Sequence, residues 1–125
     1  MKKRTKATNI LLTPDIENYL DKKLAHVEKF FEGSEAAIAD IELGKVSAHH
    51  RHGDVFKAEV TITNGSNQYR AVAEREDLYG AIDQVKDELL HELKMGLGRK
   101  RRIFRRSAAK LKNILKGIPG FNRRP

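Results

Sequence analysis

Three histidines lie close together in the stretch SAHHRHGD, residues 47–54. Imidazole nitrogens bind metals, so His49, His50 and His52 are the first residues whose type and spacing could support chemistry. Metal sites usually hold their ligands on a rigid frame, often with Cys, Asp or Glu beside the imidazoles. Here the stretch is predicted to be a loop between strands, and adjacent His49 and His50 tend to point apart. We therefore expect no metal, and the pattern favours a solvated loop that can touch phosphate.

Acidic, hydroxyl and glycine patterns give little support for catalysis. Asp83 and Asp87 are spaced i, i+4, but a general acid/base pair needs a cleft that perturbs at least one pKa. Together with Lys86 they are typical of an exposed helix face. The serines lack the sequence context of an activated nucleophile, and Gly96-Leu97-Gly98 lacks the strand and lysine of a phosphate-binding loop. We expect no enzyme, no cofactor and no small-molecule substrate.

The net charge of +8 is unevenly distributed along the chain. Residues 99–125 contain 11 Lys or Arg and no Asp or Glu, whereas residues 1–98 contain 14 Lys or Arg against 17 Asp or Glu. Fixed positive blocks of this kind usually bind nucleic acid or anionic membranes. The other interpretation is a tail that only aids solubility, which is less favoured because acidic residues serve solubility better.

Length and composition limit the class of protein. The 125 residues suit one compact domain with an appendage, and the absence of cysteine removes disulfide and thiol chemistry. No apolar run approaches the roughly 18 residues of a membrane span. The basic N-terminus lacks the apolar region of a signal peptide. We therefore expect a cytoplasmic protein that is a monomer when free.

Apolar periodicity predicts two helices. Thr13-Pro14-Asp15 combines a hydroxyl N-cap with proline at the first helical position, and an apolar stripe from Ile16 to Phe31 predicts a helix that ends near Gly33. Asp77 can cap a second helix, whose stripe is Leu78, Ile82, Val85, Leu89 and Leu93.

Alternation of apolar and polar residues predicts strands at 37–44, 56–63 and 68–75, with a hairpin turn at 64–67. Residues 3–11 are predicted to pair as an edge strand. The order β-α-β-β-β-α predicts an α+β domain at residues 1–95, with an antiparallel four-stranded sheet and both helices on one face. Residues 96–125 are predicted to form a separate basic C-terminal extension.

The basic residues of the domain define a candidate nucleic-acid surface. Lys22, His26 and Lys29 follow i, i+4, i+7 on the side of the first helix opposite its core stripe. The other candidates are Lys23 on the same helix, Lys86, His91 and Lys94 on the second helix, and Arg75 before it. Helices that lie side by side would join these residues into one surface for a phosphate backbone. A solvated face on which Lys pairs with Glu is equally compatible with the spacing.

Several segments then resemble one family. NILLTPDIENYLDKKLAHVEKFF, AEVTI, AVAERED and DLYGAIDQVKDELLHELK are similar to segments of the ribosome hibernation-promoting, or ribosome-associated inhibitor, proteins. The most specific segment runs from Glu76 to Asp83. The resemblance implies a fold similar to double-stranded RNA-binding domains and binding to the small ribosomal subunit at the decoding region, in competition with mRNA and tRNA. It also implies a protein that holds ribosomes inactive under stress or in stationary phase and is not an enzyme.

The resemblance also implies which residues contact RNA. The family's basic positions match Lys23, Lys29 and Arg75, and His26 stands where a lysine is common; Lys22 and Lys94 extend the same surface. The segment Glu88-Leu89-Leu90-His91-Glu92-Leu93 departs from the family's Lys-Leu-x-Arg-Gln-Leu, which puts the contribution of His91 in doubt. The chain is also too short for the C-terminal domain with which long members pair two ribosomes, so pairing by that route is not expected.

The basic tail lies beyond the resemblance and has a pattern of its own. Phe104, Ala108, Leu111, Leu115 and Ile118 form an apolar stripe, which predicts an amphipathic helix at about 100–117. Its expected RNA contacts are Arg99, Lys100, Arg101, Arg102, Arg105, Arg106, Lys110 and Lys112. We expect the tail to add attraction to ribosomal RNA. A general double-stranded RNA-binding protein and a membrane-surface protein that uses this tail remain the alternatives.

Overall fold

Two helices pack on one face of a single sheet in the computed structural model, which describes residues 1–46, 53–96 and 99–100. The strands are β1 (Lys2–Thr8), β2 (Ile38–Val46), β3 (Val55–Asn64), β4 (Asn67–Arg75) and β5 (Arg99–Lys100), in the spatial order β1-β2-β3-β4-β5. The helices are α1 (Pro14–Glu28), which continues as a 3-10 turn over Lys29–Phe31, and α2 (Leu78–Met95). The predicted α+β class and the order of the first six elements are confirmed.

Local capping residues explain where both helices begin and where α2 ends. The Thr13 hydroxyl accepts a hydrogen bond from the Ile16 backbone N–H at 3.3 Å. The Asp77 carboxylate accepts from the backbone N–H groups of Tyr79 at 3.4 Å and Gly80 at 3.3 Å. Gly96 then ends α2 with φ of 67°, a left-handed conformation that suits glycine. Both predicted N-caps are confirmed.

The first pair of strands corrects one part of the prediction. β1 runs parallel to β2, with Lys2 opposite Ile38 and Thr8 opposite Gly44, while the other pairs are antiparallel. The sheet is therefore mixed and not wholly antiparallel. The cause is α1, which returns the chain to the starting end of β1, so that the next strand runs in the same direction. A Cβ atom at Gly44 would lie 2.8 Å from the Thr8 carbonyl oxygen, so glycine permits the close approach of β1 and β2.

One apolar cluster lies between the helices and the sheet. It contains Leu20, Leu24, Val27 and Phe31 from α1 and its 3-10 turn, Leu78, Ala81, Ile82, Val85 and Leu89 from α2, and Ala39, Ile41, Leu43, Ala58, Val60, Ile62, Ala71 and Ala73 from the strands. No polar or charged residue is buried in the described part of the chain. Every charged side chain in these described residues therefore reaches the surface at least in part.

The C-terminal segment is described only at its start. Arg99 and Lys100 form β5, which pairs with Gln68 and Asn67 of β4 and which the sequence did not predict. The helix predicted at about 100–117 otherwise lies outside the described residues, as do Arg101, Arg102, Arg105, Arg106, Lys110 and Lys112. No helix among the described residues is long and apolar enough to cross a membrane.

Candidate nucleic-acid interface

The line along which α1 and α2 meet is occupied by polar and aromatic side chains. We call Tyr19 and Lys23 of α1, with Tyr79 and Asp83 of α2, the helix seam. The Tyr19 and Tyr79 rings meet edge to face, with centroids 4.8 Å apart and planes at 87°. The Tyr19 hydroxyl lies 2.8 Å from both oxygens of the Asp83 carboxylate and donates its hydrogen to that group. The seam therefore joins the two helices by a specific contact as well as by the apolar cluster.

Lys23 is the candidate that the structure places in this seam. Its Nζ atom lies 3.3 Å from Asp83 Oδ1 and 5.2 Å from the centroid of the Tyr19 ring. Only 25% of its side chain is exposed. Lys23 is thus held by a carboxylate and an aromatic ring, and it still has ammonium hydrogens to donate outward.

Asp83 is the acid at the centre of the seam. Burial opposes its ionisation, but hydrogen bonds from Tyr19 and Lys23 and the positive charges of Lys23 and Lys86 outweigh that effect, so the pKa of Asp83 is lowered. The hydrogen bond to Asp83 raises the pKa of Tyr19, and burial and the nearby negative charge act in the same direction. At neutral pH the seam therefore contains an ionised Asp83 beside a neutral Tyr19.

Two further candidates have neighbouring polar partners. Lys86 lies 2.6 Å from Asp87, and 18% of its side chain is exposed. Arg75 lies at the end of β4 and donates a hydrogen bond to the Gln84 side chain at 3.0 Å. Lys23 and Lys86 therefore each have an aspartate partner, whereas the sequence interpretation was a solvated face on which Lys pairs with Glu.

The remaining five described candidates on the helices are exposed. We call Lys22, His26, Lys29, His91 and Lys94 the free basic residues, because none has a side-chain hydrogen bond or ion pair with another residue that the structure describes. His26 lies in the last turn of α1 and Lys94 in the last turn of α2, where positive charge interacts favourably with the helix dipole. These residues can bind phosphate without first breaking a contact within the domain.

The ends of both helices and the start of the tail lie at the same end of the sheet. The Ser34 hydroxyl, just beyond α1, donates a hydrogen bond to the Asn64 side chain at 2.8 Å, at the end of β3. β5 pairs with Asn67 and Gln68, directly after the same hairpin turn. The tail therefore leaves the domain near the C-terminal ends of α1 and α2, where the free basic residues other than Lys22 are concentrated.

Basic residues that sequence reasoning missed lie on β1. Lys3 pairs with Glu28 at 2.6 Å and with Asp21 at 3.3 Å. Arg4 pairs with Asp40 at 2.7 Å. Their position could have been predicted from the Lys-rich edge strand, since exposed edges commonly carry lysine. Because acids compensate both residues, they are poorer phosphate ligands than the free basic residues.

The open face of the sheet has mixed charge. A shallow groove of about 310 Å³ is lined by Arg4, Thr5, Lys6, Asp40, Ile41, Glu42, Glu59 and Thr61. Glu59 lies 2.7 Å from Arg70 and 3.3 Å from Lys57. Burial opposes ionisation of Glu59, but these two partners outweigh it and lower its pKa. Three carboxylates within the groove make it unsuitable for a phosphate backbone.

The described residues contain no group of three or more His, Asp or Glu placed to hold a metal ion. The candidate ligands His49, His50 and His52 lie outside the described part of the chain. The prediction that they bind no metal therefore stays a prediction.

Comparison with known proteins decides the family. The model of the family described as "Sigma 54 modulation protein / S30EA ribosomal protein" matches residues 4–101. The chain belongs to this family. The match covers most of the chain and confirms the family that its segments resembled.

Two curated relatives carry the same printed name, ribosome hibernation promotion factor. The protein from Picosynechococcus sp. (strain PCC 7002) is 34% identical over 94 residues, covering 75% of this chain and 48% of the relative. The protein from Staphylococcus aureus (strain COL) is 29% identical over 86 residues, covering 69% of this chain and 43% of the relative. The chain thus spans a little under half the length of these two relatives.

Solved structures agree with the fold. The N-terminal domain of Thermus thermophilus Protein Y is 25% identical, with a TM-score of 0.62, and the match covers 76% of this chain and 98% of that domain. A ribosomal subunit interface protein from Coxiella burnetii is 14% identical, with a TM-score of 0.59, and the match covers 76% of this chain and 96% of that protein. At that identity, the second match supports the fold alone.

Proposed function

We propose that this protein binds the small ribosomal subunit at the decoding region, in the channel used by mRNA and tRNA, and keeps the ribosome inactive. The observation that carries the proposal is the family match over residues 4–101, in which the exposed side of the helix pair presents basic residues that have no partner in the described domain. The name of the curated relatives, ribosome hibernation promotion factor, supports the same activity. The site of action would be the cytoplasm.

The free basic residues and the seam have different roles in this proposal. Lys22 on α1, Lys29 in the 3-10 turn that follows it and Lys94 on α2 supply phosphate contacts, which fix position without reading sequence. Lys23 and Arg75 already have one polar partner each. Their cationic groups are therefore held in position and contact the RNA in a defined orientation. His26 and His91 supply imidazole N–H groups that can donate hydrogen bonds to phosphate oxygens. Inhibition follows from occupancy of the channel, without a catalytic step.

The tail supplies charge that the domain lacks. Residues 1–98 have three more acids than bases, whereas residues 99–125 contain 11 Lys or Arg and no acid. Because β5 starts the tail beside the C-terminal ends of the helices, Arg99, Lys100 and the basic residues that follow can extend the same contact onto neighbouring ribosomal RNA. In this proposal the folded domain fits the channel, and the tail provides most of the electrostatic attraction to ribosomal RNA.

The proposal predicts that the protein inhibits translation by occupying the channel that mRNA and tRNA use. We expect one protein per ribosome to suppress synthesis of a reporter in a reaction assembled from purified ribosomes and factors. Raising mRNA and initiator tRNA together should restore synthesis, because they compete for the same channel. Inhibition that persists at saturating mRNA and initiator tRNA would show that the protein acts elsewhere on the ribosome.

A further inference from the structure

An acid lies within the basic surface of the helix pair, where it is unexpected for a site that binds phosphate. The Asp83 carboxylate accepts from the Tyr19 hydroxyl at 2.8 Å and lies 3.3 Å from Lys23 Nζ. Its own helix would permit a neutral or basic residue here, since 41% of the Asp83 side chain is exposed. The position therefore has a cost for RNA affinity, because a carboxylate repels phosphate.

The contacts of Asp83 restrict the movement of Lys23. A lysine on the surface of a helix samples many rotamers, and fixing it when RNA binds has an entropic cost. Here the ammonium group is fixed between a carboxylate and the face of the Tyr19 ring, 5.2 Å from its centroid. The Tyr19 ring is fixed in turn by Tyr79, at a centroid distance of 4.8 Å. Lys23 is thus placed before any ligand arrives.

The same contacts reduce the free positive charge of the seam. A lysine beside an ionised carboxylate contributes little to non-specific attraction, because counterion release depends on uncompensated charge. Lys22 and Lys29, which lack described partners, keep their full contribution. The Lys23 ammonium group therefore has a fixed position, but it contributes less to the long-range attraction of RNA.

We propose that Asp83 is a positioning residue that fixes Lys23 and makes the helix surface selective for the shaped RNA of the small subunit over ordinary duplex RNA. This inference rests on the proposed function. The ligand class that Asp83 disfavours is any regular RNA helix whose phosphates cannot meet Lys23 in its fixed position. Asp83 would raise selectivity at the expense of affinity for regular duplex RNA.

The test compares two ligands and the variant Asp83→Asn in the full-length chain. Dissociation constants for purified small subunits and for a 20-base-pair RNA hairpin would be measured at several salt concentrations. We expect Asp83→Asn to bind the hairpin about fivefold more tightly at about 0.1 M salt, with a salt slope steeper by about one, because one more cation is uncompensated. Binding to small subunits should weaken by about threefold, because Lys23 is no longer fixed. The selectivity ratio, which is the affinity for small subunits divided by the affinity for the hairpin, would then fall by about fifteenfold.

Two further variants separate position from charge. Asp87→Asn removes the same charge from the same helix, at an acid that is 68% exposed and lies 2.6 Å from Lys86. We expect Asp87→Asn to strengthen binding to small subunits and to the hairpin by the same factor, so the selectivity ratio stays unchanged. Tyr19→Phe changes no charge but removes the hydroxyl that holds Asp83, so it should lower the ratio by about threefold without altering the hairpin salt slope.

The outcomes also distinguish this inference from the proposed function. If Asp83→Asn changes the dissociation constants for both ligands by the same factor, as we expect for Asp87→Asn, Asp83 acts only through its charge. The inference would then be wrong, although the proposed function would stand. If the wild type does not bind small subunits, the proposed function is wrong and the inference falls with it. A lower ratio in both Asp83→Asn and Tyr19→Phe would support the inference.

Discussion

The double variant Lys22→Glu/Lys29→Glu is expected to bind small subunits about 100-fold more weakly than the wild type at about 0.1 M salt, because two phosphate contacts are replaced by repulsion. Both lysines are exposed and have no side-chain partner among the described residues, so the fold should not change. Binding by fluorescence anisotropy or sedimentation, with a thermal melt of each protein, would measure both effects.

The matched control for this variant lies on β1. Lys2→Glu/Lys6→Glu makes the same change in net charge at two exposed lysines that also lack side-chain partners in the described domain. Lys3 of the same strand contacts α1, so the alternation of side chains places Lys2 and Lys6 on the opposite, open face of the sheet. We expect the control to weaken binding by less than about fivefold, through net charge alone. Equal losses in the two variants would mean that no particular face of the domain contacts the ribosome.

Truncation after Lys100 is expected to have the second large effect. It retains β5 and removes nine of the 25 Lys and Arg residues, with no acid among the residues lost. If the tail neutralises about six phosphates, the slope of log affinity against log salt should fall by roughly five. At low salt this corresponds to an affinity lower by at least about 100-fold. An unchanged slope would show that the tail does not contact RNA.

A second tail variant tests the predicted apolar stripe. Replacing Phe104, Leu111 and Leu115 with serine keeps every positive charge of the tail. If charge alone matters, this variant should keep the wild-type salt slope and most of its affinity.

Binding of the wild type to vesicles with about 30% anionic lipid provides the comparison with a membrane role, in which apolar burial is required. Strong vesicle binding without ribosome binding would contradict the proposed contact with RNA.

Short-range features of this protein were readable from its sequence because they depend on neighbouring residues. Thr13 and Asp77 cap helices through residues two or three positions away, and both were predicted. The strand of residues 56–63 was predicted from strict alternation, and its buried residues confirm it. The residues that determine each of these features lie within one helical turn or one strand.

Features that depend on distant residues were not readable. Asp83 and Tyr19 are 64 positions apart, and the sequence alone suggested that Asp83 belonged to an exposed face. The parallel pairing of β1 follows from the path of α1 across the sheet, which alternation cannot reveal. β5 is two residues long and lies in a segment whose composition favours a helix. The pairing of Lys23 with Asp83 became known only once the two helices were placed side by side.

Co-sedimentation with small subunits, with and without mRNA and initiator tRNA, tests the central claim most directly. The account predicts that the purified protein sediments with small subunits at moderate salt, at one copy per subunit, and returns to the top of the gradient when both ligands are added. A protein that stays at the top of the gradient even at low salt, or one that mRNA and initiator tRNA fail to displace, would contradict binding in the decoding channel.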